Sequence, residues 1–94
     1  MENIQTIIKQ TNMAELDKLE QEQQKREIRG ARLFQAGNVC MTETTFYVQS
    51  EKHDDTIYEV QNGKCNCPDF ERRQLPCKHV YSVEFYFLAA GMTN

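Results

Sequence analysis

The chain has 94 residues, of which 39% are hydrophobic and 27% are charged, and its formal net charge is −3. This length predicts one small domain and excludes a large enzyme with a cleft between two domains. The acidic balance argues against a protein that coats duplex DNA by bulk charge, because such domains are strongly basic. No apolar run approaches the roughly 18–20 residues that span a bilayer, and the N-terminus shows no secretory signal. We therefore expect an intracellular protein, cytoplasmic or nuclear, without a membrane partner.

The predicted elements fall into two halves of different composition. Residues 1–38 are rich in Glu, Gln, Lys and Arg, whereas all four cysteines and both histidines lie in residues 39–94. Residues 1–12 are predicted to be a tail or a short helix. Residues 13–36 are predicted to form an amphipathic helix, which ends before Gly37 because glycine accepts the positive φ of a helix end.

The predicted first helix has an apolar side and a basic side. The apolar side contains Met13, Leu16, Leu19, Ala31, Leu33 and Phe34. The basic stripe on the other side contains Lys18, Lys25, Arg29 and Arg32. Three interpretations of this stripe stay open: a solvated face, a phosphate-binding face and a surface that pairs with another helix.

Residues 37–94 are predicted to form the compact domain. The hydrophobic period changes to two, which predicts strands at 39–49, 56–61 and 64–67, with a type I′ turn at Asn62-Gly63. A final helix is predicted to begin at Pro76 and to run to about Ala90. The predicted fold class is α+β: a long N-terminal helix, a three-stranded antiparallel meander, a metal-binding knuckle and a C-terminal helix.

Four metal-binding side chains cluster in this domain. They form Cys-x-Cys, a nine-residue spacer and Cys-x-His, and the residues are Cys65, Cys67, Cys77 and His79. Three cysteines and one histidine in two close pairs match the tetrahedral ligand set of a structural zinc site. One pair follows a predicted strand and the other enters the last helix. The pattern therefore predicts one structural zinc ion per chain, which joins sheet and helix.

Other uses of these thiols fit the sequence less well. Disulfides are uncommon inside cells, and a bridge between Cys65 and Cys67 would be cramped and would leave His79 without a role. A catalytic zinc keeps a water position, which the fourth protein ligand fills here. We therefore expect no enzymatic activity and no small-molecule substrate. We also expect Cys40 to be a small buried side chain and His53 to be a surface residue.

The metal motif resembles the SWIM-type zinc finger, whose pattern is CxC, a variable spacer and CxH. The matching residues are Cys65-Asn66-Cys67-Pro68-Asp69-Phe70 and Leu75-Pro76-Cys77-Lys78-His79-Val80. In that family the motif follows a β-hairpin and enters a helix, and it is associated with DNA binding and with protein–protein interaction. The resemblance covers roughly residues 29–90 and implies a binding module. The activities of the larger proteins that carry this finger do not transfer to so short a chain.

Basic residues around the motif are the candidate nucleic-acid contacts. Those near the ligands are Lys64, Arg72, Arg73 and Lys78, and the helix stripe would add Lys18, Lys25, Arg29 and Arg32. Such a patch binds phosphates, or it offsets the charge of about −1 that zinc and three thiolates carry together. If it binds nucleic acid, few contacts predict modest affinity, little sequence discrimination and marked weakening by salt.

The last helix is the candidate partner surface, because apolar and aromatic side chains surround it. One side can pack against the sheet, and the remainder must meet the first helix or another chain. The candidate interface residues are Tyr81, Phe85, Tyr86 and Leu88. The leading hypothesis is a zinc-finger protein that binds nucleic acid, DNA rather than RNA, as an oligomer, and that regulates or assists a mobile element or recombination system. The alternative is a dimerisation or adaptor module in which zinc only holds the fold.

Overall fold

The structure is a computed structural model that describes residues 13–91; the tail or short helix predicted for residues 1–12 lies outside this range. Helix α1 is Met13–Gln35, a segment rich in strong helix formers. The chain leaves the helix through Gly37, whose φ is +78°. The N–H groups of Gly37 and Asn38 donate to the carbonyl oxygens of Phe34 and Leu33, at 3.0 and 3.1 Å. This Schellman pattern satisfies the last carbonyls, and the predicted long N-terminal helix is confirmed.

An antiparallel sheet follows α1. Its four strands are β1 (Val39–Thr42), β2 (Thr45–Gln49), β3 (Ile57–Gln61) and β4 (Lys64–Cys65), in the order β1-β2-β3-β4. The α+β class is confirmed, but the prediction of three strands is wrong because the first predicted strand folds into a hairpin. Its turn residues, Glu43 and Thr44, are not the Gly, Asn or Pro that mark such turns, and Glu43 alone takes a positive φ of 39°.

The register of the sheet puts one set of alternate residues into the core. Val39 is opposite Val48, and all three of Val39, Val48 and Val60 are buried. Cys40 is opposite Tyr47 on the other face and is exposed. The expectation that Cys40 is buried is therefore wrong, since successive side chains of a strand point to opposite faces and only one face is covered. The turn between β3 and β4 has positive φ at both of its residues, Asn62 and Gly63, as predicted.

A short helix, α2 (Pro68–Arg73), follows the sheet and was not predicted. Cys67 is its N-cap residue, and the Sγ of Cys67 accepts a hydrogen bond from the N–H of Phe70 at 3.4 Å. Pro68 at the first position needs no partner for an N–H group, because proline has none. Gln74 ends the helix in the left-handed region, with φ 57°. These local bonds place α2 directly beside the metal-binding motif.

The last helix, α3, is Lys78–Ala89. It begins two residues after Pro76, where we expected its start, because Cys77 remains extended with φ −95° and ψ 176°. Along its length α3 packs against all four strands and also against α1. These two neighbouring layers thus cover part of its apolar surface, whereas Leu88 stays exposed. Within residues 13–91, no helix is long and apolar enough to cross a membrane.

Helices α1 and α3 run in the same direction and approach closely at Gly30. A Cβ atom at Gly30 would lie 2.5 Å from the Cβ of Tyr81 and 2.8 Å from the carbonyl oxygen of Lys78. Leu33, one turn further along α1, is buried, with 1% of its surface exposed. Leu19, which we placed on the apolar side, is 47% exposed, because the first turns of α1 extend beyond the start of α3.

Candidate metal centre

The four predicted zinc ligands lie at the end of one strand and at the starts of two helices. Cys65 ends β4, Cys67 is the N-cap residue of α2, Cys77 is the N-cap residue of α3, and His79 lies in the first turn of α3. The four residues are at most 5% exposed. Three separate elements thus deliver their ligands to one buried point, which is the arrangement that a structural metal ion stabilises.

The distances between the ligand atoms fit one zinc ion. The three Sγ atoms and the His79 ring nitrogen all lie within 4.8 Å of one another. His79 Nδ1 is 3.7 Å from the Sγ of Cys65 and 3.7 Å from the Sγ of Cys77. A tetrahedron with zinc–ligand bonds of about 2.0–2.3 Å has edges of roughly 3.3–3.8 Å. The cluster therefore has the donor set of a structural zinc centre, and both of these nitrogen–sulfur distances match the edge of such a tetrahedron.

The side chain of His79 is oriented by its surroundings. Its Nδ1 faces the thiols, and its ring lies against the ring of Tyr58 with 4.6 Å between centroids. Its Nε2 is buried and has no hydrogen-bond partner among residues 13–91. If Nδ1 binds zinc as a neutral imidazole, Nε2 would carry the ring proton.

The close packing of the three thiols shifts the pKa of each cysteine. A hydrogen bond from Cys65 lowers the pKa of Cys77 to about 4, and further hydrogen bonds from His79 and from the N–H of Val80 act in the same direction. The same contact with Cys77 raises the pKa of Cys65, and burial raises the pKa of Cys67. One thiolate is thus favoured beside two thiols. A bound dication removes this conflict, because zinc takes all three sulfurs as thiolates.

Ion pairs and hydrogen bonds connect this centre to α1. The Arg26 guanidinium donates two hydrogen bonds to the carboxylate of Asp69, at 2.8 and 3.1 Å. Arg73 pairs with the same carboxylate at 3.3 Å and also donates to Gln23. These contacts lower the pKa of Asp69, chiefly through the hydrogen bond from Arg26. Arg26 was not among the predicted site residues.

A family comparison agrees with the site. Residues 58–87 match the family model of the SWIM zinc finger. The match runs from β3 through α3 and contains all four clustered ligands. The match and the four clustered ligands together support a zinc-binding module with one structural zinc in this part of the chain. Comparisons with curated proteins and with solved structures gave no significant match.

Basic side chains from two distant segments line one groove between α1 and α2, which we call the basic groove. Its volume is about 330 Å³, and its residues are Glu22, Lys25, Arg26, Arg29, Arg72 and Arg73. With Asp69, five basic and two acidic groups meet there, a local excess of three positive charges on a chain of net charge −3. The fold thus brings part of the predicted helix stripe next to the predicted arginine pair.

The other predicted basic contacts lie elsewhere or are already paired. Lys18 and Arg32 are exposed on α1 but do not line the basic groove. Lys64 borders a different surface, together with Glu59 and Glu71. Lys78 donates to Glu51 at 2.8 Å.

Two of the four predicted partner residues make specific contacts within the chain. The hydroxyl oxygen of Tyr81 accepts from Gln23 at 3.2 Å, and the Tyr86 ring meets the rings of Phe34 and Phe46 edge-on. Phe85 is half-buried. Leu88, in contrast, is 72% exposed.

Proposed function

We propose that the protein binds nucleic acid through phosphate contacts in the basic groove, with the zinc centre holding α2 in position. The convergence of five basic residues on this groove carries the proposal, because they come from segments more than 40 residues apart in an acidic chain. Arg and Lys at a groove bind phosphates without reading bases. The groove therefore supports binding of modest specificity. A role in a mobile element or recombination system stays a prediction.

Salt dependence provides the test. Lys25, Arg29 and Arg72 are the exposed cations of the groove. Three phosphate contacts predict a slope of log K against log salt of about −2.7 on duplex DNA, so affinity should fall roughly 40-fold between about 50 and 200 mM salt. The measurement is fluorescence anisotropy of labelled duplex and single-stranded oligonucleotides with protein that holds one zinc per chain. For the double variant Arg29→Gln, Arg72→Gln, the slope should drop to about −0.9 on duplex.

Lys64→Gln is the matched control for these variants, because it removes one positive charge on a different surface. Its affinity and slope should equal those of the wild type. Absence of salt-sensitive binding to either oligonucleotide would remove the proposal. Equal weakening by Lys64→Gln and by Arg72→Gln would remove the assignment to the basic groove.

A protein-interaction module is the second candidate function, and an apolar groove on the other side of α3 favours it. The groove has a volume of about 510 Å³ and lies between α3 and strands β2 and β3. Its apolar lining includes Phe46, Val60, Val83, Phe87 and Leu88. An exposed apolar surface of this kind is typical of a binding site for another protein surface.

Dimerisation through this apolar groove predicts an oligomer that a single charge disrupts. We expect size-exclusion chromatography with light scattering to give a dimer for the wild type and a monomer for Leu88→Glu, since a buried unpaired carboxylate opposes association. Ile28→Glu is the control, because Ile28 is 53% exposed on α1, outside the apolar groove. A wild-type monomer at all concentrations would exclude the homodimer.

A further inference from the structure

One ion pair lies beside the zinc centre. The Nζ of Lys78 is 2.8 Å from the Oε1 of Glu51, which joins the first residue of α3 to the loop after β2. The hydrogen bond from Lys78 lowers the pKa of Glu51, and the positive charge of Arg29 acts in the same direction. The Glu51 carboxylate thus occupies a position where two cations of α1 and α3 favour a negative charge.

The cavity beside Lys78 shares two lining residues with the basic groove. A cavity of about 160 Å³ beside the zinc ligands is lined by Arg26, Arg29, Asp69 and Lys78. Arg26 and Arg29 also line the basic groove. A phosphate chain that follows the basic groove past Arg29 would therefore reach Lys78, and there it would meet the carboxylate of Glu51.

A buried ring nitrogen without a hydrogen-bond partner among residues 13–91 lies at the same place. His79 is 4% exposed, and its Nε2 has no hydrogen-bond partner among residues 13–91. His79 lines the cavity shared with Arg29 and Lys78 and also a neighbouring one of about 200 Å³, to which Lys52 and His53 contribute. Lys78 and the Asp69 carboxylate border both cavities. Because Asp69 is already paired with Arg26 and Arg73, the cations that remain beside it favour an anion as ligand.

We propose that Lys78 and Arg29 form a phosphate-binding subsite beside the zinc centre, which Glu51 occupies in the free protein and which a nucleic-acid phosphate takes over on binding. This inference rests on the proposed nucleic-acid function. Glu51 is then an internal competitor. It weakens binding, because the phosphate must displace an ion pair before it can contact Lys78.

Glu51→Gln tests the competition, since glutamine keeps the shape of the side chain and removes its charge. Affinity for a labelled duplex oligonucleotide at low salt should rise about two- to fivefold, which corresponds to the loss of one partly exposed ion pair. In protein that already carries Lys78→Gln, the change Glu51→Gln should give no gain, because the cation that pairs with Glu51 is absent. Each of these variants must retain one zinc per chain, measured by metal analysis.

Glu43→Gln is the matched control, because Glu43 is exposed in the turn at the opposite end of β2. It removes the same charge and should leave the affinity unchanged. A wild type that binds with salt dependence, combined with equal affinities for Glu51→Gln and Glu43→Gln, would overturn the competition and leave the proposed function intact. A gain from Glu51→Gln that persists in the Lys78→Gln protein would also overturn it. A wild type that binds neither duplex nor single strand would overturn both.

Discussion

Serine in place of Cys77 will leave the zinc finger without a cooperative fold, even when zinc is supplied. Cys77 caps α3 and contributes one of three sulfurs to a centre that also holds β4 and α2. Zinc binding contributes about 10–16 kcal/mol in isolated zinc-finger peptides, whereas a whole domain is stable by only about 5–15 kcal/mol. The core of this chain contains few large side chains besides the ligands themselves, so the metal supplies most of the stability.

Thermal unfolding followed by circular dichroism will measure this loss, and the near-ultraviolet signal of the tyrosines will report tertiary packing. The wild type treated with a strong chelator should behave as the Cys77→Ser variant does. Cys40→Ser is the control, because Cys40 is exposed on the outer face of β1. It should change the free energy of unfolding by at most about 0.5 kcal/mol. A cooperative melt with native tertiary signal in metal-free protein would contradict the prediction.

Alanine in place of Gly30 will destabilise the zinc-loaded protein by about 2 kcal/mol. Its Cβ would lie 2.8 Å from the carbonyl oxygen of Lys78 and 2.9 Å from the N atom of Ser82. Both are backbone atoms, so no side-chain rotation relieves the overlap and α1 must move away from α3. Overpacking of this kind costs about 1–3 kcal/mol. We expect a cost near the upper end of that range, about 3 kcal/mol, of which the higher helix propensity of alanine offsets about 1 kcal/mol, so the net loss is about 2 kcal/mol.

Urea unfolding of zinc-saturated protein, followed by circular dichroism because the chain has no tryptophan, will give this free energy. Gln24→Ala, at an exposed position of the same helix, should change it by at most about 0.5 kcal/mol. Displacement of α1 should also weaken oligonucleotide binding, since Arg26 and Arg29 flank the position. A Gly30→Ala protein as stable as the wild type would show that the two helices are not in close contact.

Local features of this fold could be predicted from the sequence. The end of α1 depends on one glycine that takes positive φ, and the turn at Asn62-Gly63 depends on two adjacent residues that take it. The β1–β2 hairpin was missed because its turn carries no such residue. Helix α2 was not predicted because its N-cap residue is Cys67. A cysteine in this motif indicates a metal ligand and gives no signal of a helix start.

The candidate site was predictable to different degrees. The zinc ligands were identified because their spacing along the chain carries the information. The pairing of Arg26 with Asp69 was not, because the two residues are 43 positions apart and only helix packing brings them together. Among the predicted basic residues, the packing also separated Lys64 from the basic groove and paired Lys78 with Glu51.

An α+β domain stabilised by one zinc could thus be predicted from this small, acidic chain, because ligand types, ligand spacing and helix ends are local properties of the sequence. The tertiary structure decided how the charge is distributed. Although the net charge of the chain is −3, the basic groove has an excess of three positive charges. This groove forms because α1 packs against α2 and α3. Packing also decided that Gly30 is a contact residue and that Cys40 is exposed, since burial depends on which face another element covers.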